Sequence, residues 1–234
     1  VPVYIHAPGE EADWAPGAAS RWWLHHSLAE LSRSLAARGS RLTIRCGPSL
    51  ETLRQLVRET GATQVCWNRL YEPAVIERDG EIKRHLRDQG LEVNSFNASL
   101  LFEPWTLANK KGEPYRVFTP FWKACLQMGV RKPEPAPEHI PAPKTWPEST
   151  ALDTLKLLPR IAWNVGLGKA WKPGEAGAIE ALDEFLDSAL QGYQENRNRP
   201  DLRGSSRLSP HLHFGEIGPT QVMNACRQWM QDGG

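Results

Sequence analysis

The densest run of chemistry-bearing residues lies near the end of the chain, from Tyr193 to Pro210. It reads Tyr193-Gln-Glu-Asn-Arg197, then Asn198-Arg199-Pro200-Asp201-Leu202-Arg203, then Gly204-Ser205-Ser206-Arg207-Leu208-Ser209-Pro210. Gly204 permits either a positive φ or a close approach of the backbone to a ligand. Ser205 and Ser206 add two small hydroxyls, and the Arg207 guanidinium is a planar fork matched to phosphate. Ser209-Pro210 predicts a helix start, with Ser209 as N-cap and Pro210 in the first turn. Together these groups suit a large, polyanionic, aromatic-bearing ligand. The same spacing describes equally well a polar turn ahead of a helix.

Arg197, Arg199, Arg203 and Arg207 face only Glu195 and Asp201 in this stretch. That local excess could track a phosphate backbone, although the whole chain carries a net charge of only +1. For Arg199 and Arg203 a solvated loop with balancing acids elsewhere in the fold is the plainer expectation. Metal chemistry is set aside. His211 and His213 are two apart on a predicted helix and so point in different directions, and His25 and His26 are adjacent. No Ser/His/Asp arrangement stands out.

These residues need elements to position them. Across residues 1–100 strands and helices alternate: a strand at Val1–His6, a helix capped by Ser20 and stopped by Gly39, and a strand at Arg41–Cys46. A helix from Ser49 to Gly61 follows, then a strand at Thr63–Trp67, a helix at Pro73–Gln89 and a strand at Leu91–Phe96. Such alternation predicts βαβ units and a parallel sheet. No GxGxxG follows any strand, so the dinucleotide fingerprint is absent. Tyr115 to Trp122 is aromatic-rich and reads as a packed connector, while Lys110, Lys111, Arg116 and Lys123 read as a solvated face. Six prolines between Arg131 and Pro147 favour an extended linker. Glu175 to Tyr193 has helical spacing and delivers Tyr193 to the polar run.

The 234 residues include four scattered cysteines with no CxxC, which fits reduced thiols in a cytoplasmic protein. No apolar run is long enough for a membrane span. The chain reads as cut at both ends. It does not start with Met, Val1–Ile5 resembles the middle of a buried strand, and Thr220–Gln231 is an amphipathic helix whose face of Val222, Ala225, Cys226 and Trp229 needs a partner.

The pattern Tyr193-x3-Arg197-x2-Pro200-x3-Gly204-Ser-Ser-Arg-Leu-Ser209-Pro-x-Leu212-x-Phe214-Gly215 resembles the flavin-binding signature of DNA photolyases and cryptochromes. Trp171-Lys-Pro-Gly-Glu175 and Phe118-Thr-Pro-Phe-Trp122 extend the resemblance in the family's order. It is most like a bacterial class I cyclobutane pyrimidine dimer photolyase. The resemblance implies an α/β fold with a Rossmann-like parallel-sheet domain over residues 1–100, lacking the family's first strand. An interdomain linker would follow over 101–172, and the start of an all-α flavin domain over 173–234.

It further implies FAD held by Tyr193, Ser205, Ser206, Arg207, Leu208 and Ser209, with Arg197 at a position that contacts DNA near the lesion. The activity implied is blue-light-driven electron transfer from reduced FAD that splits cyclobutane dimers in ultraviolet-damaged DNA. No residue acts as acid or nucleophile, so none is assigned as catalytic. A cryptochrome photoreceptor is the alternative, and a bare nucleotide-binding α/β domain a third reading. Asn68 to Val75 is similar to the family's antenna-pocket stretch. Folate-binding members carry Asn-Glu where this chain has Ala74-Val75, which favours a deazaflavin or a second flavin over folate. A monomer is expected, and the isolated piece is expected to be colourless and inactive.

Overall fold

In a computed structural model, residues 1–10 and 15–233 are described. In chain order the elements are β1 (Val3–His6), α1 (Ala18–Ala37), β2 (Thr43–Cys46), α2 (Ser49–Thr60), β3 (Gln64–Asn68), α3 (Pro73–Asp88) and β4 (Glu92–Phe96). Then come α4 (Phe118–Met128), α5 (Val165–Ala170), α6 (Glu175–Ser188), α7 (Tyr193–Asn196), α8 (Ser209–His213) and α9 (Pro219–Gln231). The chain forms two compact units, Val1–Phe96 with Ala136–Gly177, and Asn97–Pro135 with Ala178–Gly234.

The first unit holds the predicted alternation, and its stops are chemical. Gly61 ends α2 in the left-handed conformation at φ 64°, and Pro73 opens α3 in its first turn. Ser20 does not cap α1. That helix starts at Ala18 behind Gly17 with no side-chain cap. The strands pair in parallel as two ribbons, β1 with β2 (Val3 opposite Thr43) and β3 with β4 (Val65 opposite Val93). Parallel pairing follows from the crossover helix between each pair. Residues of both β1 and β3 border one cavity of about 570 Å³, Val3 and Ile5 on one side and Val65 and Trp67 on the other. The expected parallel sheet is thus observed as two separate two-stranded ribbons.

Leu28 and Leu35 of α1 close over Leu42 and Ile44, and burial of each such side chain contributes about 1.5–3 kcal/mol. Leu31, between them on α1, is exposed instead. Leu155 and Leu157 complete this core, brought there by the chain after the prolines. That return is fastened backbone to strand. Ile44 N donates to Ser149 Oγ at 2.9 Å, and Thr150 N donates to Ile44 O at 2.8 Å. Both polar groups of Ile44 are thereby satisfied on the side of β2 away from β1.

A second cluster in this unit joins Ile82, Leu86 and Val93. The Trp171-to-Glu175 motif also belongs here. Trp171 packs edge-on to buried Trp23, with ring centroids 5.6 Å apart. Gly174 adopts φ +105°, where an added Cβ would lie 2.3 Å from Glu30 Cγ.

In the second unit, Ala178 and Leu182 of α6 pack on Leu208 and Ile217, with Val222 and Ala225 of α9 against them. Part of the α9 face that sequence left unpartnered is therefore covered inside this unit. Gly218 N donates to Gln221 Oε1 at 2.7 Å to open α9. The Phe118-to-Trp122 motif is the first turn of α4 and not a packed connector. Phe118 stacks on Trp122 but is 72% exposed. Among the described residues no helix is long and apolar enough to cross a membrane.

Candidate functional site

Within the second unit, the predicted helix into Tyr193 breaks after Ser188. Ala189 N and Leu190 N both donate to Phe185 O, at 3.0 and 2.8 Å, which ends α6 and turns the chain. Tyr193 then opens α7, with its ring edge-on to Phe185 at 5.6 Å. The Arg197 guanidinium lies 5.9 Å from the centroid of the Tyr193 ring, so the two candidate residues form one cation–π pair.

Arg199 and Arg203 are engaged elsewhere. Arg199 grips Asp201 through Nε and Nη2 at 3.2 and 2.6 Å, and Arg203 Nη1 meets Glu184 Oε1 at 2.7 Å. The hydrogen bonds from Arg199 hold the Asp201 carboxyl below the usual carboxylate range. The balancing acids expected for these two arginines are present.

Gly204 does not take the positive φ that the sequence allowed. Its close neighbour is protein: an added Cβ would sit 2.4 Å from Asn196 O. Gly204 therefore seats the following loop directly on the end of α7. Ser205 is exposed and Ser206 half-buried, with Ser206 Oγ accepting from Leu208 N at 3.4 Å. Arg207 takes φ +54°, a left-handed conformation that costs a non-glycine residue about 1–3 kcal/mol. Leu208 is 1% exposed and anchored in the core, so only its backbone faces outward chemistry.

α8 begins at Ser209 with Leu208 as its N-cap and no side-chain cap bond, one residue from the predicted start. The Ser209 hydroxyl is not spent on capping. Between a glycine pressed on α7 and a leucine sunk in the core, residues 205–207 form a short, anchored, polar loop.

Sequence reasoning missed a buried pair that follows this loop in the chain. His211 Nδ1 and Glu216 Oε2 are 2.6 Å apart, with side chains 3% and 4% exposed. Glu216 N also donates to His211 O at 2.9 Å across the turn at Gly215. The signal available in the sequence is a histidine and a carboxylate five residues apart, with a glycine between them. His213 is exposed and stacks edge-on with Phe214. Among the described residues no cluster of His, Cys, Asp or Glu is fit to hold a metal.

In the first unit, Asn68 borders the 570 Å³ cavity together with Arg78 and Asp79. Asp79 is buried and accepts from Trp67 Nε1 at 2.7 Å and from Arg78 Nε and Nη2 at 3.0 and 2.8 Å. Nearby, Lys83 Nζ meets Ser95 Oγ at 2.6 Å, and burial with the adjacent Arg69 charge pulls the Lys83 ammonium down from its ordinary range. Glu72 stands exposed just before α3, and Ala74 is exposed in its first turn.

The DNA photolyase family model matches residues 1–143. A deoxyribodipyrimidine photo-lyase of Agrobacterium fabrum is 46% identical over 230 residues, covering 97% of this chain and 47% of the relative. Cryptochrome-2 of Arabidopsis thaliana is 38% identical over 242 residues, 99% of this chain and 40% of the relative. A crystal structure of a bacterial class III photolyase from Agrobacterium tumefaciens superposes with a TM-score of 0.92 at 45% identity, over 99% of this chain and 48% of that one. The chain spans about half the length of these relatives.

Proposed function

This chain belongs to the DNA photolyase family, and from that premise we propose that the whole protein is a deoxyribodipyrimidine photo-lyase. The observation that carries the reading is the anchored loop 204–209, seated on Asn196 through Gly204 and on the core through Leu208. Its donor set is two serine hydroxyls and a guanidinium, joined by the uncapped hydroxyl of Ser209. That set fits the diphosphate of FAD in charge and hydrogen-bonding character. Ser205, Ser206, Arg207 and Ser209 would hold the diphosphate, with Leu208 contributing backbone, and Tyr193 would border the cofactor. When bound, reduced FAD supplies the blue-light-driven electron that opens a cyclobutane pyrimidine dimer.

The protein's part is placement. Arg207 is held in a strained conformation by anchors on both sides, so its charge is positioned before any ligand arrives. Arg197, supported by the Tyr193 ring, contacts the damaged DNA strand. The dimer must leave the helix stack to be reached, which costs a few kcal/mol and least for a poorly stacked lesion. We place the protein with class III and not class I, because the 45%-identical solved relative is described as class III. A second chromophore would sit in the first unit near Asn68. The Ala74-Val75 pair supports a deazaflavin or a flavin there over folate. A cytoplasmic monomer completes the reading.

The test is dimer loss. The purified protein is mixed with ultraviolet-damaged DNA, under blue light and in the dark. Loss in light alone supports the photo-lyase. No loss in either condition, from protein that carries reduced flavin, moves the assignment to a cryptochrome. That second reading is favoured by the 38% identity to Arabidopsis Cryptochrome-2 across nearly the whole chain.

A further inference from the structure

We propose that a basic cleft in the second unit, formed by the turn at residues 109–113 and helix α4, binds the phosphate backbone of duplex DNA apart from the Arg197 contact. The cleft is shallow and open to solvent, has a volume of about 530 Å³, and is lined by Lys110, Lys111, Lys123, Asn109, Tyr115 and Gln127, with Glu113 as its one carboxylate. Two separate elements bring the lysines together, and each is ordered. In the turn, Asn109 Oδ1 accepts from Lys111 N at 2.8 Å and from Glu113 N at 3.1 Å. Asn109 N donates to Glu113 O at 2.8 Å, closing the loop from which Lys110 and Lys111 project. On α4, Lys123 is set by its neighbours. Phe121 packs edge-on to Tyr115 at 6.2 Å, and Cys125 is 2% exposed.

Among the described residues, none of Lys110, Lys111 and Lys123 forms an ion pair. Three like charges around one cleft repel each other and raise the local concentration of anions. Lysine ammonium groups are strongly hydrated point charges that suit successive phosphates more than a single bidentate carboxylate. Asn109, Tyr115 and Gln127 add neutral hydrogen-bonding groups, as backbone contacts to DNA do. The choice of DNA among polyanions rests on the photo-lyase reading.

The test is a salt titration. Affinity for an undamaged fluorescent duplex is measured between 50 and 200 mM salt, a range within which phosphate contacts show their full ionic cost. Wild type is compared with a Lys110→Gln/Lys111→Gln/Lys123→Gln variant. Each lost phosphate contact flattens the log–log slope by about 0.9, so the variant's slope should be shallower by up to about 2.7. An unchanged slope overturns the proposal. So does a lysine-dependent affinity for poly-glutamate with DNA binding untouched, which would assign the cleft to an acidic protein.

If the triple variant melts early, the Lys110→Gln/Lys111→Gln pair on the exposed turn must still flatten the slope by up to about 1.8. Light-driven dimer loss by wild type is scored separately. A flattened slope without dimer loss keeps the cleft and removes the photo-lyase reading.

Discussion

Gly204→Ala is the sharpest perturbation of the candidate site. The added methyl would lie 2.4 Å from Asn196 O, 2.6 Å from Asn196 C and 2.8 Å from Asn196 Cβ. Ordinary non-bonded carbon separations begin near 3.5 Å, so loop and helix must part by roughly 1 Å. No flexible side-chain tip can yield, because the obstacle is backbone. Gly204 is buried, and its neighbour Leu208 is fixed in the core with Ala178, Leu182 and Ile217. Displacement therefore either lifts Leu208 or bends the end of α7.

Overpacking of this kind costs about 1–3 kcal/mol, and the upper half of that range applies where backbone meets backbone. With about 2–4 °C per kcal/mol for a chain of this size, the melting temperature should fall by about 4–12 °C. Circular dichroism melting measures it, and retention of FAD on the purified protein reads the loop directly. Gly215→Ala is the control. It shares a turn with the same core but has nothing within 4 Å of an added Cβ, at φ +69°. It should cost only the left-handed penalty, about 1–2 kcal/mol. If Gly204→Ala melts with wild type and keeps its flavin, the anchored-loop reasoning fails.

Three other outcomes follow from the same geometry. Arg207→Gly relieves the left-handed conformation and should raise stability by about 1 kcal/mol while lowering FAD affinity, a split between melting and flavin titration that a purely structural residue would not show. Asp79→Ala strips the Trp67 indole N–H and the Arg78 guanidinium of their buried acceptor. It should cost about 1–3 kcal/mol in urea unfolding. Burial and the neighbouring His25 hold the His26 imidazole below its ordinary range. The unfolded chain then binds the proton more readily, so stability present above the ordinary histidine pKa is lost as pH falls through the folded one. His26→Gln should flatten the pH dependence of melting on the acid side of neutrality, and an unaltered slope would exclude His26 as its source.

The α/β part was legible because its signals are local. Gly61, Pro73 and the alternating apolar residues of β3 mark boundaries that need no tertiary context. Ser20 misled because Gly17 and Ala18 form a helix start without a side-chain cap. The split of the sheet was only half legible, since periodicity predicts strands and not which edges they leave unpaired. At the candidate site, residue types single out the loop, but the job of Gly204 depends on Asn196 eight positions away. The His211–Glu216 pair depends on burial, which the sequence pattern around Phe214-Gly215 does not encode. The arginines illustrate the same limit. Balancing acids were expected for Arg199 and Arg203, but only the structure identifies them as Asp201 and Glu184.

The chain visits its two units in alternation, leaving the first at Phe96, returning at Ala136 and leaving again after Gly177. As the polypeptide emerges during synthesis, Ile44 waits more than a hundred residues for Ser149 and Thr150. In that interval residues 97–135 must remain unfinished, because their own core partners come still later. A single protease nick after Gly177 would keep both segments of the first unit on one fragment, but only with residues 97–135 of the second still attached. Each unit is thus assembled from two stretches of chain that a segment of the other separates.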